Sequence, residues 1–233
     1  MPSGYLRTKS NDSLFAQYLR NIQFKADNQV LLYDGSPKYN QDAQYRVLNL
    51  GVGKKNLQQC ADAVIRLRAE YLFKSKRFTE IKFHFTSGHL CKWLDYAEGF
   101  RPQISGNSVS FNKSAPKDNS EKSFIHYLDL IYTYCGTASL HKELNPKNIK
   151  SIEVGDVLIK TGNPYGHAVI VMDVAKNKFG ERIFILAQSY MPAQEIHILK
   201  NTEAIALNPW YKAIEGTIET PEWTFSSGDL RTW

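Results

Sequence analysis

Two side chains stand in settings that suit them for chemistry, Cys60 and His167. A cysteine attacks as its thiolate, and a helix N-terminus or a neighbouring histidine lowers its pKa. Cys60 follows Asn56-Leu57-Gln58-Gln59, and Asn56 with Gln59 three residues on has capping-box spacing, which predicts Cys60 in the first turn of a helix. His167 opens the apolar run His167-Ala168-Val169-Ile170-Val171-Met172-Asp173-Val174, just after Gly155-Asp156-Val157-Leu158-Ile159-Lys160 and a polar loop. Val or Ile would pack better at the mouth of a buried strand, so the histidine invites a chemical reading. A lone Cys on a helix or a lone His at a strand end is otherwise a packing residue.

A Cys–His pair needs a third polar group to fix the imidazole. Asp173 shares a strand face with His167 but lies six residues along it, about 20 Å away at ~3.3 Å per residue. If strands 167–174 and 182–189 pair antiparallel about a centre near Lys178, Gln188 falls opposite His167, with Cβ atoms ~5 Å apart. A one-residue slip would substitute Ser189, and Gln194 is the fallback.

The elements that must hold these residues follow from periodicity. Ser10–Ser13 offers caps for a helix with apolar positions 14, 15, 18, 19 and 22. Gln29–Tyr33 and Tyr45–Leu50 read as strands, and residues 1–50 as a layer added to the core. Residues 51–75 carry the Cys-bearing helix, Leu57 to about Phe73. Its Gly51-Val52-Gly53-Lys54 lead-in lacks phosphate-loop spacing. Residues 76–150 read as a helical insertion, with an alternating run Phe78–Phe85, an exposed excursion or lid at 101–120, and helices at 123–134 and 137–144. Residues 151–200 read as an antiparallel meander, and 201–233 as an aromatic, Pro-containing tail that wraps back. The expectation is one α+β domain over 1–233, N-terminal helices packed on a C-terminal antiparallel sheet.

The 233 residues carry a net charge of +6, with Lys and Arg dispersed along the chain. Dispersed charge argues for a solvated surface and against nucleic acid as partner. No apolar run reaches the ~20 residues of a membrane span. The N-terminus lacks the apolar core of a signal peptide, so the chain reads as cytoplasmic or as a mature exported form. Cys60, Cys91 and Cys135 form no zinc pattern; in an oxidising compartment a Cys91–Cys135 bridge would leave Cys60 free. His84, His89 and His197 read as exposed polar residues, and no cofactor or metal is called for.

The order of Gln59-Cys60-Ala61-Asp62-Ala63-Val64, Gly155-Asp156-Val157 and Gly166-His167-Ala168-Val169-Ile170-Val171 resembles the papain-like cell-wall peptidases and amidases of the NlpC/P60 and CHAP kind. That resemblance implies a papain-like core with insertions. It also implies a cysteine hydrolase of amide or peptide bonds, with a peptide or peptidoglycan-like substrate and Cys60, His167 and Gln188 as the catalytic residues. Those peptidases usually have Asp or a small residue before the Cys and Ser after it, where this chain has Gln59 and Ala61. Their oxyanion Gln lies about six residues upstream, where this chain has Lys54, so Gln58, Gln59 or a backbone N–H would have to serve. More of the chain is similar to the bacterial family called domain of unknown function 4846, through Gln59–Leu72, Phe85-Thr86-Ser87-Gly88 and Leu186-Ala187-Gln188-Ser189-Tyr190-Met191-Pro192-Ala193-Gln194. Membership implies export to the periplasm or cell envelope, often as a lipoprotein whose anchor lies outside this chain. The alternative function is a non-catalytic envelope binding module on the same fold.

Overall fold

The computed structural model describes residues 1–9 and 14–233; the caps expected at Ser10–Ser13 lie outside the described residues. Its centre is a nine-stranded antiparallel sheet. Seven strands run in the spatial order Gln44–Val47, His197–Leu199, Arg182–Gln188, His167–Asn177, Val157–Lys160, Leu230–Thr232 and Asn145–Pro146. Tyr5–Arg7 pairs with the far end of His167–Asn177, and Tyr211–Lys212 with the start of Arg182–Gln188. With the five helices this is a mixed α+β fold. The meander expected at 151–200 forms the middle of the sheet, and strands from both ends of the chain extend it.

The helices are α1 (Leu14–Arg20), α2 (Cys60–Lys74), α3 (Trp93–Ala97), α4 (Glu121–Tyr134) and α5 (Thr137–Glu143). Alternation along the long central strand sorts its side chains between two cores. Ala168, Ile170 and Met172 join Phe15, Leu67, Trp93, Phe124 and Leu140 from the helices. Val169, Val171 and Val174 face the other way, where Tyr211, Ile218, Phe225 and Leu230 of the tail cover them. Both faces of the sheet are thus buried, and α2 is buried on nearly every side, from Cys60 to Leu72.

Several local expectations change. Gln29–Tyr33 forms isolated bridges, Leu31 to Pro37 and Leu32 to Gln194, because it is pinned to two loops rather than one strand. The alternating run at 78–85 buries Ile81, Phe83 and Phe85 as read, yet it starts as a 3-10 turn and pairs only over Lys82–His84. The 101–120 excursion is a regular hairpin, Phe100–Ser105 with Ser108–Lys113, so its polar composition marks an exposed two-stranded sheet. Residues 76–150 therefore hold two hairpins as well as three helices. All three cysteines are free thiols, so no Cys91–Cys135 bridge forms. Tyr127 instead donates to the Cys91 carbonyl at 3.0 Å, and Cys135 Sγ sits 3.2 Å from the His84 carbonyl.

Candidate active site

Helix α2 begins at Cys60, with Gln59 rather than Asn56 as its cap residue. The Gln59 N–H donates to Asp62 Oδ2 at 3.0 Å, while Asn56 Oδ1 accepts from the Ala193 N–H at 2.8 Å. The two polar residues read as one capping box meet only through a long Gln59 Nε2–Asn56 Oδ1 contact of 3.5 Å, and the box itself is closed by Gln59 and Asp62. Asn56 ties the lead-in loop to the segment after Gln188, and this fixes where the cysteine arrives. Cys60 Sγ lies 3.9 Å from the Gly166 carbonyl and within hydrogen-bonding reach of the Ala168 N–H. The sulfur therefore sits against the peptide units on both sides of His167. Sγ and the imidazole are not hydrogen-bonded to each other, and catalytic contacts in unliganded sites are commonly long.

Glycine at 166 lets the loop before His167 pack against Lys160 and Thr137. A Cβ there would meet the Lys160 carbonyl at 2.3 Å and Thr137 Oγ1 at 2.9 Å, both contacts too close for any side chain. Gly155 serves the preceding turn, with φ +93 and the Phe15 ring 2.9 Å from where a Cβ would be. Asp156, the other half of the Gly-Asp pair, is structural. Its carboxylate accepts from the Glu153 N–H at 2.7 Å and pairs with Lys147 at 2.8 Å.

His167 Nε2 donates to Gln188 Oε1 at 2.8 Å. The expected partner is therefore met, but by a different register. The hairpin turns about Phe179, with Asn177 N–H bonded to the Glu181 carbonyl, and a bulge between Ile185 and Leu186 shifts the pairing by one residue. Ala187 lies across from Ile170, and continuing that register puts Gln188 across from Val169 rather than His167. The glutamine reaches its partner diagonally, which needs its full side-chain length. Ser189 and Gln194 are engaged elsewhere: the Ser189 hydroxyl lies 3.0 and 2.8 Å from the Gln58 and Gln194 carbonyls, and Gln194 Nε2 donates to Pro192 O. Asp173 is held by Arg7 and Arg20, at 2.6 and 2.8 Å.

Behind Gln188 stands a network that the linear sequence did not reveal. Gln188 Nε2 donates to Glu222 Oε2 at 2.6 Å, and its second hydrogen lies toward His197 Nε2 at 3.4 Å. Glu222 is held in turn by Lys38 at 2.6 Å and Asn40 at 3.3 Å. His197 Nδ1 donates to the Glu195 carbonyl at 2.9 Å, so its Nε2 is the acceptor. A carboxylate only accepts, so Glu222 forces the Gln188 amide group toward itself and turns Oε1 toward His167. Oε1 also only accepts, which fixes the Nε2–H tautomer of His167 and leaves Nδ1 as the unprotonated nitrogen.

His197 corrects an expectation. It is fully buried, because its strand lies between two others in a sheet covered on both faces, where alternation with Ile196 and Ile198 marks two interiors instead of an interior and a surface. His84 and His89 are partly exposed, and His84 faces Glu143 at 3.3 Å. Among the described residues no three His, Cys, Asp or Glu side chains are arranged to hold a metal ion.

The imidazole is walled by aromatic rings, with Tyr190 edge-on at 4.8 Å between centroids, Trp223 at 5.1 Å and Phe225 at 5.8 Å. Burial pulls His167 down to about 4, opposed by its bond to Gln188. Burial first, and the Asp62 carboxyl second, push the Cys60 thiol up to about 11, opposed by the N–H groups of Ala61, Ala168 and Cys60 itself. At neutral pH Cys60 is therefore a thiol and His167 a neutral imidazole. The N–H groups at the start of α2 supply the donors that a developing oxyanion would need. Gln58 is not free for that role, since Arg66 donates to its Oε1 while its Nε2 donates to the Gln194 carbonyl at 3.2 Å.

Glu222 and Lys38 lie 55 and 129 residues from His167, and no spacing rule links them to it. The only sequence signal was the aromatic setting Pro221-Glu222-Trp223 in a tail expected to fold back.

The family model described as "Domain of unknown function (4846)" matches residues 1–232, so the chain belongs to that family. No curated protein and no solved structure matches the chain significantly.

Proposed function

We propose that this member of the domain of unknown function 4846 family is a cysteine hydrolase of amide or peptide bonds, with a papain-like arrangement of Cys60, His167 and Gln188. The observation that carries the reading is the His167–Gln188–Glu222 chain. It leaves Nδ1 of a buried imidazole unprotonated, on the residue whose two flanking peptide units contact Cys60 Sγ. The order of a Cys-bearing helix, a His-bearing strand and a Gln-bearing strand supports the papain-like assignment.

With a neutral resting pair, attack runs by general-base catalysis. The Cys60 proton passes to His167 Nδ1 as the sulfur bonds to the substrate carbonyl carbon, and the oxyanion is held by N–H groups at the start of α2. The imidazolium returns that proton to the leaving amine as the C–N bond breaks. Water, deprotonated by the same nitrogen, then attacks the thioester carbonyl; the C–S bond breaks, the imidazolium returns the proton to Cys60 Sγ, and the acid product leaves as a carboxylate. Gln188 holds the ring throughout. Peptides or peptidoglycan-like polymers of the cell envelope are the substrate class we assign, with the protein exported.

The test is acylation by p-nitrophenyl acetate read by intact mass spectrometry. A single acetyl adduct on Cys60 is expected, absent in Cys60→Ser and formed at least ~100-fold more slowly in His167→Ala. The burial of Cys60 favours a second reading, an envelope binding module that keeps the pair as packing. Acylation at an equal rate without His167 would make that reading the better one.

A further inference from the structure

A cavity of about 690 Å³ opens beside the first strand, at the end of the sheet remote from His167. Lys176, on its rim, is nine residues further along the central strand, about 30 Å at ~3.3 Å per residue. Cys60, His167 and Gln188 take no part in its lining, so a ligand there would be independent of the hydrolase chemistry.

The lining is cationic. Among the described residues it holds Arg7, Lys9, Arg68, Lys176 and Arg182 against two acidic side chains, Glu153 and Asp156. Both acids are engaged by Lys147, at 3.1 and 2.8 Å. Arg7 is spent on Asp173, and Arg182 donates to the Ile152 carbonyl at 2.7 Å. Lys9, Arg68 and Lys176 have no acidic partner among the described residues.

Arg68 is the informative one. Its guanidinium carbon sits 5.0 Å from the Phe15 ring centroid, 5.3 Å from that of Trp233 and 5.7 Å from that of Tyr71. Rings hold the group in place, yet it makes no hydrogen bond or ion pair among the described residues. The neighbouring acid, Glu80, is bound by both arms of Arg77. Burial first, and the Arg77 charge second, weigh against the Arg68 cation, opposed only in part by Tyr71 and Glu80. The second signal is Trp233, which also lines the cavity: its indole Nε1–H is buried with no acceptor. Buried donors are nearly always satisfied, so this one asks for a partner from outside the chain.

We propose that this cavity binds a small-molecule oxyanion, a phosphate or carboxylate group, with Arg68 as its principal donor, Trp233 Nε1–H as a second, and Lys9 and Lys176 as surrounding charge. The guanidinium fork matches two oxygens of either group, a geometry that chloride cannot satisfy.

The experiment titrates inorganic phosphate, and separately acetate, into the full chain at constant ionic strength made up with sodium chloride. Calorimetry and tryptophan fluorescence are the readouts. Saturable one-site binding of at least one anion is expected, weakened about tenfold to a hundredfold in Arg68→Lys, which keeps the charge but loses the fork. Trp233→Phe is expected to weaken it severalfold. Circular dichroism checks each fold. If Arg68→Lys does not fold, the exposed Lys176→Glu replaces it, with a loss of about tenfold expected. No saturation by either anion up to about 10 mM overturns the proposal, as does an Arg68→Lys variant that binds like the parent. Binding to phosphatidylglycerol vesicles without binding of free phosphate or acetate also overturns it, in favour of a lipid surface.

Discussion

The protonation state of the Cys60–His167 pair is open to direct measurement by iodoacetamide alkylation of Cys60 as a function of pH. The thiol is pushed up to about 11 and the imidazole pulled down to about 4, a gap of 11 − 4 = 7 units. At 1.36 kcal/mol per unit, moving the proton from sulfur to nitrogen costs about 10 kcal/mol before the two charges attract each other. Opposite charges ~4 Å apart at an effective dielectric of ~20 return about 4 kcal/mol. The ion pair thus stays about 6 kcal/mol uphill, populated in fewer than about one molecule in ten thousand. At pH 7 the native protein then holds roughly 300-fold less Cys60 thiolate than the unfolded chain, whose thiol titrates near 8.5. Native alkylation should be slower by at least that factor and should climb about tenfold per pH unit to pH 10 without a plateau. His167→Ala should leave the profile between pH 6 and 9 unchanged, because the imidazole carries no charge there. A plateau with an apparent pKa below about 7 that disappears in His167→Ala would refute the reasoning, since it would mean a preformed thiolate–imidazolium pair that burial does not suppress.

Buried groups elsewhere give three further expected outcomes. His167 and His197 titrate at about 4 and about 3 in the folded protein against ~6.5 unfolded, so their contribution is full above pH 6.5 and is lost as pH falls toward 3, by about 8 kcal/mol in all. Urea unfolding at pH 7, 5 and 4 measures this; equal stability at pH 7 and pH 4.5 would contradict it. Asp62 has the opposite sign. Burial raises its carboxyl to about 8, so a stabilising contribution present below ~3.9 is lost as pH rises through 8, and Asp62→Asn should gain on the parent by about 6 kcal/mol between pH 4 and 9. A gap between the two proteins that does not change with pH would rule this out. Lys38 and Glu222 form a buried pair with side chains 6% and 13% exposed, and removing one partner should cost about 3–5 kcal/mol. Lys38→Met with Glu222→Gln together should recover most of that loss in thermal unfolding, while equal losses in the single and double variants would show that the charges are not coupled.

Local signals were enough to put Cys60 at the start of a helix and Gln188 within reach of His167. A cysteine opening a helix, a glycine–histidine step opening an apolar run and a glutamine late in the next strand are each encoded within a few residues. Even with the assumed register two residues off at this end, Gln188 still reached His167, because a long side chain spans the diagonal. The register itself was not legible. It depends on how the Asn177–Glu181 turn closes and on the bulge at Ile185–Leu186. His197 was misplaced for a related reason: alternation reports two faces of a strand but not whether the second face meets water.

The sequence by itself determined the elements: a helix with Cys60 in its first turn, an apolar strand that starts at His167, and a late antiparallel meander. These rest on capping, periodicity and turn chemistry, which act over a handful of residues. Only the tertiary structure decided that the tail closes over the second face of the sheet. That packing brings Glu222 and Lys38, neither of them near His167 in the chain, to the amide that orients the imidazole. It also decided the protonation of the site, because desolvation depends on everything packed around a group and not on its neighbours in sequence.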